Sequence, residues 1–144
     1  MTEQIGILVK NLDNDLQRYS NRQAKKLGIT QVQMSIIDFL YRNEDYRELY
    51  QTDVEREFNI QKSSATALLQ GMEKRALIVR SPSQKDSRFK IILLTAQARQ
   101  SAGQIRDFYD QTEAALRKVL GAHTPDFIHQ LQQLHNYLEN QLTN

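Results

Sequence analysis

Lys62, Ser63, Ser64, Thr66, Ala67 and Gln70 fall on one side of a helical wheel, with Gln61 just ahead of them. Ser, Thr and Gln can donate to phosphate oxygens and to base edges, and an ammonium group neutralises phosphate or approaches guanine. Small side chains let a helix backbone come close to a partner. The chemistry this face suits is therefore duplex recognition. A plain solvated helix face has the same composition, so the case rests on what surrounds it. Gln61 is a mediocre N-cap, which leaves its amide available to the same surface.

The surroundings are cationic. Between Lys62 and Lys90 stand Lys62, Lys74, Arg75, Arg80, Lys85, Arg88 and Lys90 against only Glu73 and Asp86, a local balance of +5 in a chain whose net charge is +2. The remainder is thus acidic, and positive charge gathers where phosphate binding would need it.

Other chemistries find less support. The chain has no Cys, which excludes disulfides, thiolate catalysis, Cys-based redox sensing and thiolate metal sites. His129 and His135 lie on different faces of any helix, unlike the i, i+4 spacing of a helical metal site, and His123 brings no carboxylate cluster with it. No metal and no cofactor are expected. Asp13 with Asp15 and Glu55 with Glu57 are each two apart on a helix and diverge, so neither is a catalytic pair. No Ser-His-Asp spacing and no Gly-rich phosphate loop occurs, and an enzyme is not expected. Tyr19, Phe39, Tyr41, Tyr46, Phe108 and Tyr109 offer either ordinary core or the lining of a small-molecule pocket. The N-terminus lacks a signal-peptide core and no run spans a bilayer, so a cytoplasmic protein without a membrane partner is expected.

The elements that must carry the polar face follow from the punctuation. Thr52 and Glu55 form a capping-box pattern opening a short helix over Asp53 to Phe58, with Val54 and Phe58 on its buried side. Asn59 supplies a left-handed turn residue and Ile60 an apolar plug. A second helix runs from Lys62 to about Arg75, with Ala65, Leu68, Leu69 and Met72 facing the core. Ile78 and Val79, then Ile91 to Leu94, read as strands around a turn-rich loop from Arg80 to Lys90. Leu49 to Gln51 reads as a short strand against that hairpin. Helix, turn, helix and hairpin in this order make a winged helix-turn-helix, which lays one helix in the major groove.

The remaining sequence is helical, with only five Gly and two Pro in 144 residues. Ile5, Leu8, Val9, Leu12, Leu16 and Tyr19 mark a long first helix stopping before Gly28. Thr30 and Gln33 form a capping box for a helix to about Asn43. Thr95 caps a helix reaching Leu120, which Gly121 ends. Thr124, as N-cap, with Pro125 at the first helical position opens a final helix with a stripe of Phe127, Ile128, Leu131, Leu134, Leu138 and Leu142. The first and last helices carry long apolar faces that a single small chain covers poorly. Pairing with a second copy through Ile5, Leu8, Leu12, Phe127, Leu131, Leu134 and Leu138 answers that need. An internal three-helix core in a monomer is the alternative.

Over nearly its whole length the chain resembles the MarR family of bacterial transcription regulators. The most specific stretch is Asp86-Ser87-Arg88 followed by Leu94-Thr95, together with Met72-Glu73-Lys74-Arg75-Ala76-Leu77-Ile78-Val79-Arg80. The chain departs from the family where Ala76 and Ala98 replace common glycines and Gln61 replaces a Ser or Thr. The resemblance implies a mainly α fold: a winged helix-turn-helix lobe over 30–95, and a helical dimerisation region over 1–28 and 96–144. It implies that Asp86 orients the wing by pairing, while Arg88, with Lys85 beside it, enters the minor groove. It also implies a pocket for small aromatic compounds. The resulting expectation is a homodimeric, ligand-responsive repressor of a pseudo-palindromic double-stranded DNA operator. The alternative is a winged-helix module that binds an acidic protein.

Overall fold

Helix α2 (Gln31–Asn43) sits at the centre of the first part of the chain. A computed structural model describes residues 2–143. Thr30 and Gln33 close the expected capping box: the Thr30 hydroxyl oxygen accepts from the Gln33 N–H and the Gln33 carboxamide accepts from the Thr30 N–H, each at 3.1 Å. Met34, Ile36, Ile37 and Leu40 are then fully buried. Leu49, Val54 of α3 (Gln51–Phe58), Leu69 and Met72 of α4 (Lys62–Lys74), Ile78 of β1 (Ile78–Pro82), Ile92 of β2 (Lys90–Leu94) and Ile105 are fully buried as well. Phe39 packs edge-on against Phe58 with ring centroids 5.8 Å apart. Helix α1 (Ile5–Lys26) lies against α2 and buries Ala24.

A buried acid in such a core needs partners, because an isolated charge cannot be desolvated cheaply. Asp38 has two, Arg42 and Arg106, each at 3.0 Å. Glu44, at the end of α2, accepts from the Leu94 N–H at 3.2 Å and pairs with Arg99.

The chain forms two compact units, one ending at Arg106 and the other beginning at Asp107, so the boundary falls inside α5 (Ala96–Leu120). Thr95 caps α5 as expected, accepting from the Ala98 N–H at 3.2 Å. In the second unit α5 ends at Gly121, whose φ is +57°, and a single 3₁₀ turn leads into α6 (Thr124–Leu142). Among the described residues no helix is long and apolar enough to cross a membrane.

Several sequence expectations need correction. Thr52 does not open α3. Tyr50 is the N-cap residue, and the Asp53 carboxylate accepts from its N–H at 2.8 Å, which leaves Thr52 inside the first turn. Leu49 to Gln51 is not a strand: one ladder-like bond remains, from the Ile92 N–H to the Leu49 carbonyl at 2.8 Å, and Gln51 already belongs to α3. Thr124 is not an N-cap, since its own backbone is helical and His123 takes that place. Its hydroxyl instead donates to the carbonyls of Gly121 and Arg117, at 2.8 and 3.3 Å, closing the orphaned end of α5. Of the six aromatics that offered core or pocket lining, Phe39 is core and Tyr46 is 87% exposed.

Left-handed residues terminate helices where the sequence placed them. Gly28 (φ +72°) and Asn59 (φ +51°) end α1 and α3. Ala76 (φ +57°) ends α4, with the Leu77 N–H reaching the Met72 carbonyl and the Ala76 N–H the Glu73 carbonyl, at 2.9 and 3.0 Å. This Schellman motif normally uses glycine, because a Cβ strains the left-handed region by about 1–2 kcal/mol. Ala76→Gly is therefore expected to stabilise the fold by about 1 kcal/mol after allowing for the freer unfolded chain. Thermal unfolding checks this as a rise of about 3 °C in the midpoint.

Candidate nucleic-acid interface

Helix α4 starts without a capping side chain: Gln61 is extended and makes no capping bond, and no acid occupies the first turn. The N-terminal amides and their positive dipole end are left to an outside partner, as an anion requires. Gln61, Lys62, Ser63, Thr66, Ala67 and Gln70 line one shallow depression on this helix. Ser64 is exposed but lies outside that lining. Ala65, Leu69 and Met72 hold the opposite face in the core.

Thr66 differs from its expected part. Its hydroxyl donates to the Lys62 carbonyl at 2.9 Å and accepts from the Gln51 amide at 2.8 Å, so its hydrogen is spent inside the protein. What remains for a partner is a methyl group and a lone pair. Gln51 also accepts from Arg80 at 3.4 Å, and Arg80 pairs with Glu73 at 3.3 Å. Gln51 thus ties α3 to the start of α4 and to β1.

Not all of the local positive charge is on offer either. The Arg75 guanidinium donates to the Gly28 carbonyl and, at 3.0 Å, to the Gln33 carboxamide, fixing the end of α4 to the α1–α2 junction. Arg80 is paired as well, so although Arg75 stays exposed, the exposed cations without these ties are Lys62, Lys74, Lys85, Arg88 and Lys90.

The wing is an antiparallel hairpin in register from Ile78↔Leu94 to Pro82↔Lys90. Its tip is tied by the Ser83 N–H to the Phe89 carbonyl at 2.8 Å and the Phe89 N–H to the Asp86 carbonyl at 3.0 Å. Asp86 grips Arg88 through Nε at 3.0 and 3.2 Å and Nη2 at 2.7 Å, and also accepts from the Arg88 N–H at 3.1 Å. The Arg88 side chain is still 84% exposed. This fork holds the Asp86 carboxyl below the usual carboxylate range.

A second anchor joins the wing to the segment before α3. Glu48 accepts from the Ser83 hydroxyl at 2.5 Å, from the Tyr50 hydroxyl at 2.6 Å and from the Gln84 N–H at 3.0 Å. The Ser83 hydroxyl bond, then that of Tyr50, lowers the Glu48 pKa, helped by the Gln84 N–H and the nearby Lys85 charge. Donating to that carboxylate raises the Tyr50 pKa. Since the folded state favours ionised Glu48, the anchor is complete above the ordinary value of 4.5 and is lost as pH falls through the lower folded value. Ser83→Ala removes the largest cause, so the Glu48 midpoint is expected to move up towards 4.5. An NMR titration of the Glu48 carboxyl carbon checks it, and an unmoved midpoint would count against the assignment.

Among the described residues no group of His, Asp and Glu side chains comes together as a metal ion would need. His135 lies 3.5 Å from Glu139, one turn on along an exposed face.

The MarR family model matches residues 27–88, which span α2 to the wing. The transcription regulator MarR from Oenococcus oeni is 34% identical, with 93% of this chain and 99% of that one covered at a TM-score of 0.85. The chain belongs to the MarR family. MepR of S. aureus, solved as a DNA complex, shares the MarR fold at a TM-score of 0.85 with 19% identity, over 94% of this chain and 96% of that one. No curated protein matches the chain. As a MarR-family winged-helix regulator, the protein carries the wing Asp-Arg element that the sequence resemblance pointed to. The sequence reading missed Glu48, Tyr50, Gln51 and Ser83. Their bonds join positions up to 36 residues apart, and no local spacing announces them.

Proposed function

We propose that the protein is a homodimeric, ligand-responsive repressor that binds a pseudo-palindromic duplex. The observation that carries this reading is the uncovered polar face of α4, from Gln61 to Gln70, at a helix start with no internal cap. In this reading Lys62, Ser63, Ser64 and Gln70 contact phosphates and base edges in the major groove. Ala67 and the Thr66 methyl allow close approach, and Gln61 adds an amide at the helix start. Arg88, held by Asp86 and flanked by Lys85, occupies the minor groove, where a narrow A·T-rich stretch concentrates negative potential. The MepR–DNA complex supports DNA as the partner for a chain of this fold.

The dimer reading is supported by two apolar helix faces that the chain leaves exposed. On α1, Ile5, Leu8 and Leu12 are among the exposed large hydrophobics, and on α6 Leu131, Leu134 and Leu138 are as well, with Phe127 half-buried. Patches of this kind mark interfaces, and a second copy is the partner that two-fold DNA reading requires. A small aromatic ligand would act by binding DNA-competent and incompetent dimers with different affinity.

Selection of bound duplexes from random DNA, with and without aromatic compounds, tests the whole reading. The expected result is an inverted repeat with half-sites about one helical turn apart. Binding that ignores sequence, or that an acidic protein outcompetes, would overturn it in favour of a protein-interaction module.

A further inference from the structure

We infer that Glu48 is a positioning residue for DNA binding, holding the wing tip, through Ser83 and Tyr50, in the pose from which Arg88 reaches the duplex. The inference rests on the DNA-binding reading above and adds a residue outside both DNA-reading elements. Glu48 precedes α3, on neither α4 nor the hairpin.

The geometry is that of a pin through the turn. One Glu48 oxygen accepts both hydroxyls, and the other accepts the Gln84 N–H. Ser83 is buried, and its oxygen accepts in turn from the N–H groups of Lys85 and Asp86, at 3.1 and 3.3 Å. Three consecutive amides of the wing tip, at Gln84, Lys85 and Asp86, therefore end on Glu48 or on the serine it holds. The Asp86 carboxylate that orients Arg88 hangs from this same turn. Tyr50 adds an apolar brace, its ring edge-on to Phe89 at 6.4 Å between centroids. Without Glu48 the tip keeps its local backbone bonds and the Ser83 and Asp86 side-chain bonds to its own amides, but loses the carboxylate that fastens it to the segment before α3. A glutamine holds the turn less well: with its oxygen on the Gln84 N–H, its NH₂ meets a Ser83 oxygen that already accepts two amides, which leaves only the Tyr50 hydroxyl to take it.

The test is a double-mutant cycle in the full-length protein. Duplex affinity and its salt slope are measured for wild type, Glu48→Gln, Arg88→Ala and the double variant, on the selected operator. Glu48→Gln is expected to weaken binding about tenfold and to flatten the salt slope, because a loose tip no longer delivers the Arg88 charge. In the Arg88→Ala background the same change is expected to cost less than about twofold. A purely structural role for Glu48 would weaken binding equally in both backgrounds, and that additive result overturns the inference. So does unchanged affinity of Glu48→Gln where Arg88→Ala is impaired. If Arg88→Ala itself binds normally, the minor-groove reading fails and this inference falls with it. Ser83→Ala, which removes the pin from the other side, runs through the same cycle and decides the matter should Glu48→Gln not fold.

Discussion

Leu134→Glu is expected to leave a folded monomer that binds operator about a hundredfold more weakly or worse. Leu134 lies on α6 between Leu131 and Leu138, spaced so that the three form one apolar stripe, and it is 42% exposed in the single chain. A partner copy that covers this stripe must desolvate any group placed there. An unpaired carboxylate at such a site costs several kcal/mol, twice over in a two-fold interface. Within the single chain the same carboxylate meets solvent, so folding should survive. The loss in DNA binding follows because two tethered readers gain effective concentration, a factor of about 10²–10⁴ that a monomer forfeits. Sedimentation and fluorescence anisotropy measure the two halves of the claim. A stable dimer with normal affinity would refute the proposed assembly.

Arg88→Ala is the second large effect, a loss of about tenfold to hundredfold in operator affinity. Its salt slope should be shallower by about one for each Arg removed. Asp86 takes the Nε–H and one Nη2–H of this guanidinium and leaves its other donors outward. The side chain is thus aimed before any duplex arrives, which lowers the entropy lost on binding. Arg88→Lys separates charge from shape. It keeps the slope but lacks the planar fork, so it is expected to bind more weakly than wild type at every salt concentration. Affinity and slope unchanged in Arg88→Ala would remove the wing from the proposed interface.

What could be read from sequence was whatever depends on near neighbours. The Thr30–Gln33 box, the left-handed Asn59 and the Gly28 stop are local signals, and each stands in the structure. Where two local signals competed, the reading erred. Thr52-x-x-Glu55 has the better capping composition, yet Asp53 binds the Tyr50 N–H because Tyr50 is extended there. Thr124 looked like a cap, but the preceding 3₁₀ turn had already brought the chain into helical geometry. Charge was read correctly as a sum and incompletely as a supply. Arg75 and Arg80 belong to the cationic stretch by sequence, while in space they are held by Gly28, Gln33, Gln51 and Glu73. The Glu48 pin needed tertiary structure, since Ser83 is an ordinary turn residue until the chain folds back on it.

The two fastenings of α4 have a mechanical consequence. Gln51 grips its first turn and Arg75 its last, so the helix has neither a loose heel nor a loose toe. It cannot rock or slide in its seat without breaking one of them. In the proposed dimer, a ligand that controls DNA binding would then work like a hand on a pair of calipers, altering the gap between two rigid jaws while leaving the points themselves unturned.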